Sequence, residues 1–359
     1  MSRSAIAEVA AGPSPAAALA GRALEVIAPF LIALAVGGLV LAVTGRDAIG
    51  TYGLLVEQSL GGAQAIANTL VAATPILFTG LATGVAFRTG VFNVGVEGSL
   101  YVGAFAAAWV GFSFTTLPGP LLVFLAVVSG GLAGVAWAAV PGALRAWWRV
   151  DEVVTTLMAN YIAILFTSYL VNYWFLAPGV ANSMSPLVAA QAQLSPLVGS
   201  TQLTLAFPIA LVATFLYWVL FRATTVGYRL QIVGMSPRFA TASGIHVART
   251  IIVAMVISGL LGGLAGAFQI LAVNHRFIAN FSPGYGFTGI AVALLGRNSA
   301  PGILAAALFF GALANGGSMI QLFSDIPLDL INVVQGTVMI IAVIELRRLG
   351  RLVRARSHA

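Results

Sequence analysis

Asn93 and Glu97 stand four residues apart within FRTGVFNVGVEGSLYVGA (residues 87–104), and Thr156 and Asn160 stand four apart within VDEVVTTLMANYIA (residues 150–163). That spacing puts each pair on one face of a helix wherever the segment is helical. Amide and carboxylate groups can hydrogen-bond the hydroxyls or ring edges of a small polar molecule. Phe281 and Tyr285, close to a second asparagine-bearing stretch, can stack on a planar ring. The chemistry on offer is recognition of a small polar molecule. For acid–base or metal work the acids form no D-x-x-D or H-E-x-x-H cluster, and His246, His275 and His358 are scattered.

The elements that must hold these residues are membrane helices. Apolar residues make up 60% of the 359 and charged residues 8%, and mean hydropathy is +1.00, far from the composition of soluble domains. Stretches 58–87, 98–144, 153–221, 250–275, 277–296 and 298–324 contain no charged residue at all. Each is long enough for one or more helices of about 20 residues, the length that crosses about 30 Å of hydrocarbon. The apolar runs are continuous and do not alternate at every second residue, which favours helices over a barrel. The expected fold is an all-α, polytopic helical bundle with spans near 26–43, 66–86, 98–114, 121–143, 154–176, 205–221, 251–272, 285–296, 302–320 and 329–345, ten in number.

All 17 basic residues are arginines. With an inward amino terminus only Arg46 and Arg276 fall outside, so 15 of the 17 obey the positive-inside rule and both termini face the cytoplasm. This asymmetry explains the formal charge of +7 better than a nucleic-acid surface does, and no nucleic-acid partner is expected. Without lysine the chain cannot carry the G-x-x-x-x-G-K-[ST] phosphate loop of a nucleotide hydrolase. Cysteine is absent, so neither disulfide nor thiolate chemistry is available. The domain reading is a flexible cytoplasmic tail at 1–25, a membrane domain at 26–346 and a basic cytoplasmic tail at 347–359. The first span is read as uncleaved, because no A-x-A-like site follows it.

Three loops carry information. At 145–163, Trp147 and Trp148 suit the headgroup boundary, and Asp151 and Glu152 start a helix at its positive end. The stripe Thr156, Asn160, Ala163 that follows reads either as solute-facing or as a small-residue packing stripe. At 222–250, Gly234 breaks the chain, Ser236 caps and Pro237 opens a short helix, and Gly244 ends it. With Arg229, Arg238 and Arg249 around it, that loop suits a soluble partner or anionic lipid equally. The uncharged outer segment at 177–202 reads as a cap or docking surface, or as a plain connection.

Stretches 80–108 and 262–294 echo each other faintly: a Gly/Ala-rich span, an asparagine-bearing break and a Gly-Tyr restart. The first break faces in and the second faces out, the sign expected of an inverted repeat, and shared Gly/Ala composition is the competing explanation. Interrupted helices free backbone groups that need partners, so both breaks are candidate binding elements.

TGLATGVAFRTGVFNVGVEGSLYVGA, with its core RTGVFNVGVEG at 88–98, resembles the membrane permease subunits of ATP-binding cassette importers of the simple-sugar and nucleoside class. VDEVVTTLMANYIA at 150–163 and TTVGYRLQIVGMSPRFATASGI at 224–245 are similar to two further segments of that family. Within it, the glutamate-bearing segment and TTLMANYIA point to nucleoside permeases that work with basic-membrane-protein-type lipoproteins. Ser99 departs from the glutamine expected after Glu-Gly.

The resemblance covers about residues 65–345. It implies a permease subunit of the cell (inner) membrane that moves nucleosides or related sugars by alternating access. The implied partners are a cytoplasmic ATPase that uses ATP and Mg, a second permease subunit, identical or paralogous, an extracytoplasmic binding lipoprotein and the surrounding lipid. No cofactor is expected on this chain, and no catalysis. The expected pathway residues are Asn93, Glu97, Thr156, Asn160, Phe281 and Tyr285, and the expected ATPase-coupling residues are Gly234, Ser236, Pro237, Arg238 and Gly244.

Two other readings compete at residue level. Glu97 in a broken helix suits a proton-coupled secondary transporter, or it is structural, paired with Arg88 or capping backbone amides. A membrane enzyme is disfavoured by the scatter of acids and histidines.

Overall fold

The computed structural model describes residues 47–323 apart from Ser200, together with a few isolated positions nearer the termini. The spans expected at 26–43 and 329–345 and the two terminal tails lie outside the described residues. The chain divides into one unit of Leu54–Phe323 and another of Met1–Gly53 with Ser324–Ala359. In the latter, Asp47 opens the first helix by accepting hydrogen bonds from the Ile49 and Gly50 amides at 3.0 and 3.1 Å.

Among the described residues the secondary structure is helical: α1 Ala48–Leu60, α2 Ala63–Arg88, α3 Val96–Ser113, α4 Gly119–Trp148, α5 Glu152–Tyr173, α6 Ala206–Ala223, α7 Thr225–Met235, α8 Pro237–Ala242, α9 Val247–Gln269, α10 Tyr285–Leu295 and α11 Ala300–Phe323. A single π turn, Ile270–Asn274, extends α9. All eight spans expected between 66 and 320 have helical counterparts. Helices α1 and α7 were not expected, because Gly, Gln and Glu in the first and Gly227 and Gly234 in the second read as loop.

Among the described residues six helices are long and apolar enough to cross a membrane: α2, α4, α5, α6, α9 with its π turn, and α11. Helix α10, expected as a full span, has 11 residues and reaches only about 16 Å, roughly half the hydrocarbon thickness. It is a half-helix that follows a break.

Helix α2 is the axis of the larger unit, 78% buried over its apolar window, whereas α5 and α6 are 22% buried. The latter pair turn Ile162, Leu165, Phe215 and Leu216 outward. Apolar faces of this extent suit lipid and not water. Helix α9 packs on α4, α3 and α2, and α11 and α10 pack on α2. The α4–α9 crossing is backbone against backbone: a Cβ on Gly134 would strike the Gly259 carbonyl, and one on Gly263 would strike that of Gly130. Both helices carry glycines four apart at this seam, which permits the close approach that drives helix association in lipid.

Candidate functional site

The expected break at 89–95 is present, with Gly90 at φ +74°. Asn93 lies inside it and not on α3, which starts at Val96 after an N-cap at Gly95. Asn93 and Glu97 therefore do not share a helix face. The Asn93 carbonyl oxygen accepts from the Gly95 amide at 2.8 Å, and its amide donates to Ser258 of α9 at 2.9 Å.

Helix α5 supplies the rest of the support. Asp151 caps it by accepting from the Val153 and Val154 amides, and Glu152 pairs with Arg145 at 3.1 Å. This pins the register in which Thr156 and Asn160 meet the break. The Thr156 hydroxyl accepts from the Val94 amide at 3.2 Å. Asn160 bridges the break with both ends of its amide, accepting from Gly98 N–H at 2.8 Å and donating to the Val94 carbonyl at 2.9 Å. Asn93, Thr156 and Asn160 are all buried. Their hydrogen-bonding capacity is spent on backbone that the interrupted helix would otherwise leave bare in lipid.

Glu97 serves the second interruption. Its carboxylate accepts from the Gly286 amide in the first turn of α10 and from the Ser282 hydroxyl. The Ser282 hydroxyl oxygen also accepts from the Gly284 and Tyr285 amides at 3.1 Å each. Glu97 itself sits in the first turn of α3, so one buried carboxylate lies at the positive ends of two helices, the arrangement that stabilises an anion there. Gly286 is obligatory at this contact, since a Cβ on it would lie 2.5 Å from the Glu97 backbone nitrogen.

Arg88 is not its partner. The Arg88 guanidinium donates to the Asn298 carbonyl at 2.8 Å and lies 4.5 Å from the Phe221 ring centroid. Phe281 packs into an aromatic cluster with Tyr101 and Phe277 at ring separations of 4.9 and 5.5 Å. Of the six expected pathway residues, Tyr285 lines a cavity.

That cavity, of about 440 Å³, lies between α2, the end of α9, Tyr285 and α11. Its polar lining is uncharged: Gln64, Asn68, Gln202, Gln269, Tyr285 and Asn315. Pro75 in α2 cannot donate to the Val71 carbonyl, which leaves one further acceptor at the wall. Among these residues Asn315 is held in place by donating to the Gln58 and Ala65 carbonyls and to Thr69. Five of the six were not anticipated. Their signal was present as amides within or beside charge-free apolar spans.

The second break runs from the π turn through His275 and Asn280, both at positive φ, to Gly284. The outer segment at 177–202 is strapped to it. Val188 N–H donates to the His275 carbonyl at 2.9 Å, Ser185 N–H to that of Phe277 at 2.8 Å and Ala279 N–H to that of Ser183 at 2.9 Å. Burial holds the His275 imidazole below its ordinary pKa. The two breaks lie toward opposite ends of α9: Asn93 reaches mid-helix Ser258 and Val91 packs on Met255, whereas the second break follows its carboxyl end.

In the loop at 222–250, Ser236 caps α8 by accepting from Phe239 N–H at 3.2 Å, Pro237 is its first residue, Gly244 turns away at φ +77° and Arg238 is exposed. Gly234 is not a chain break. It lies inside α7, where a Cβ would strike the Arg88 carbonyl and reach within 3.0 Å of Thr89. The glycine is a contact residue that lets α7 press on the backbone of the first break.

Residues 65–343 match the family described as branched-chain amino acid transport system, permease component. The chain is 34% identical over 85% of its length to the guanosine ABC transporter permease protein NupP of Bacillus subtilis, 88% of which is covered. It is 33% identical to the glucose ABC transporter permease protein TsgB13 of Haloferax volcanii, with 86% of this chain and 84% of that one covered. The nucleoside ABC transporter permease protein NupB of Lactococcus lactis is 32% identical, with 84% and 85% covered. No solved structure matches the chain. A match over most of the chain, set on a helical framework with two interrupted spans, makes this protein a multi-pass cell-membrane protein that belongs to the permease-component family of transport systems.

Proposed function

We infer that the chain is the non-catalytic permease subunit of an ATP-driven importer, and that its cargo is a nucleoside. The observation that carries the class is the match, over more than four fifths of the chain, to permeases named for guanosine and nucleoside transport. The cavity supports the cargo: amides and a phenol line it and no charged side chain does, which suits the hydroxyls and ring edges of a neutral nucleoside. A glucose permease among the relatives keeps neutral sugars as the second reading.

In this reading both termini lie in the cytoplasm, the orientation that the arginine distribution favours. Two permease subunits face each other, and a binding lipoprotein delivers cargo onto the strapped outer segment. A cytoplasmic ATPase grips α8 around Ser236, Pro237 and Arg238 and hydrolyses MgATP. Its closure moves α7, and Gly234 passes the motion to the Arg88–Thr89 backbone and so to the first break, alternating access to the cavity. Asn93, Thr156, Asn160 and Glu97 hold the two interruptions in shape while they move, and Tyr285 meets cargo. The proton-coupled reading is disfavoured, since Glu97 is committed to the Gly286 amide and the Ser282 hydroxyl.

Uptake of labelled guanosine, uridine and glucose by cells that express the complete system tests this. Nucleoside uptake that stops when ATP is depleted is the expected result. Uptake that persists without ATP but collapses with the membrane potential would overturn the importer reading, and transport of glucose alone would overturn the cargo.

A further inference from the structure

The loop at 222–250 encloses a second cavity, of about 540 Å³, between α7, the turn after α8 and the first turns of α9. Its wall carries Arg229, Arg249 and His246 beside Tyr228. Among the described residues neither guanidinium is engaged: the ion pair found there is Arg145 with Glu152, far along the chain. Helix α9 starts at this wall with His246 at its N-cap, no side-chain cap and no acid in its first turn. Two free cations and an unneutralised helix positive end thus meet one enclosed space.

The surroundings indicate which anion fits. Val253 lines the same cavity one turn beyond Arg249, and Leu260 continues the exposed face two turns further. This face belongs to a helix long and apolar enough to cross a membrane. A cationic cavity therefore opens onto an outward apolar strip, with polar and apolar parts in the order of a phospholipid. Soluble phosphate would gain nothing from the strip, and an acidic side chain of a cytoplasmic protein would leave it uncovered.

We propose that this cavity binds a phosphate-bearing anion, the headgroup of an anionic phospholipid whose acyl chains lie along Val253 and Leu260. Arg229 and Arg249 are the phosphate ligands, with the first-turn amides of α9 as additional donors. The site is independent of the transport reading and stands whatever the cargo is.

The test uses the purified complex in nanodiscs of phosphatidylcholine with or without phosphatidylglycerol, and native mass spectrometry of the lipid that stays bound to this chain. With each arginine contributing about fivefold, Arg229→Gln with Arg249→Gln retains phosphatidylglycerol about twenty-fivefold more weakly and leaves phosphatidylcholine unchanged. Arg229→Lys with Arg249→Lys keeps the charge and most of the binding, and serves as the second variant should the glutamine pair fail to fold. Arg149→Gln with Arg222→Gln, outside the cavity wall, leaves retention unchanged. Equal loss in that control overturns the site. Displacement of the lipid by inorganic phosphate at equal concentration overturns the lipid as the source. Loss of the ATPase with lipid retention intact assigns the cavity to the protein partner and overturns the proposal.

Discussion

At the residue scale, the polar side chains that stand out in this oily chain are structural keystones. Asn160→Ala strands the Gly98 N–H and the Val94 carbonyl, two buried groups without water, at a cost of about 2–4 kcal/mol. A matching drop in thermal stability of the detergent-purified protein is expected; normal stability with lost uptake would instead make Asn160 a cargo ligand. Glu97→Gln keeps an acceptor for Gly286 N–H and forfeits the charge at two helix ends, so a loss of about 1–2 kcal/mol with uptake retained is expected. By contrast, Gln269→Leu removes a cavity amide whose hydrogen bond to the Asn274 side chain of the π turn is long, at 3.5 Å. It is expected to raise the KM for nucleoside about tenfold with unfolding temperature unchanged, measured in reconstituted vesicles. These residues were legible as polar groups in apolar spans. Their partners were not, because Asn93 and Ser258 are 165 residues apart and Glu97 and Gly286 are 189 apart.

At the element scale, the two interruptions carry the design. Helix α2 stops at Arg88 and α9 ends in a π turn, and each is followed by a break whose backbone meets side chains from elsewhere, Asn160 at the first and Ser185 and Glu97 at the second. Helix α7 is the element that touches the first of them. Gly234→Ala adds a methyl where the Arg88 carbonyl stands, an overpacking of about 1–3 kcal/mol that separates α7 from the break. Uptake is expected to fall about tenfold while the complex still assembles and hydrolyses ATP, measured as transported nucleoside per ATP consumed. An unchanged ratio would remove α7 from the coupling path. The periodicity of the apolar runs made eight of these helices visible. Helix α7 was hidden because a glycine at a close contact looks, in sequence, like a glycine at a turn.

At the scale of the whole molecule, the segment at 177–202 is laid along the second break through four backbone hydrogen bonds, one of them to the His275 carbonyl. Burial holds His275 below its ordinary pKa, so the unfolded chain binds a proton that the folded one resists. Stability is therefore full above about pH 6.5 and falls as pH drops through the unfolded value. His275→Gln is expected to flatten that dependence in thermal unfolding measured from about pH 7.5 to about pH 5.5. What the sequence determined by itself is the membrane class and the helical runs. Both follow from local composition: about 20 apolar residues span lipid wherever they occur. Even the two breaks were legible, as glycine and asparagine between apolar runs. Only the tertiary structure decided what the polar residues do. A hydrogen bond in lipid is worth having for cargo and for stranded backbone alike, and sequence spacing does not distinguish the two. Packing set Asn93, Thr156, Asn160 and Glu97 against bare backbone, and left the amides of α2, α9 and α11 to face the open cavity.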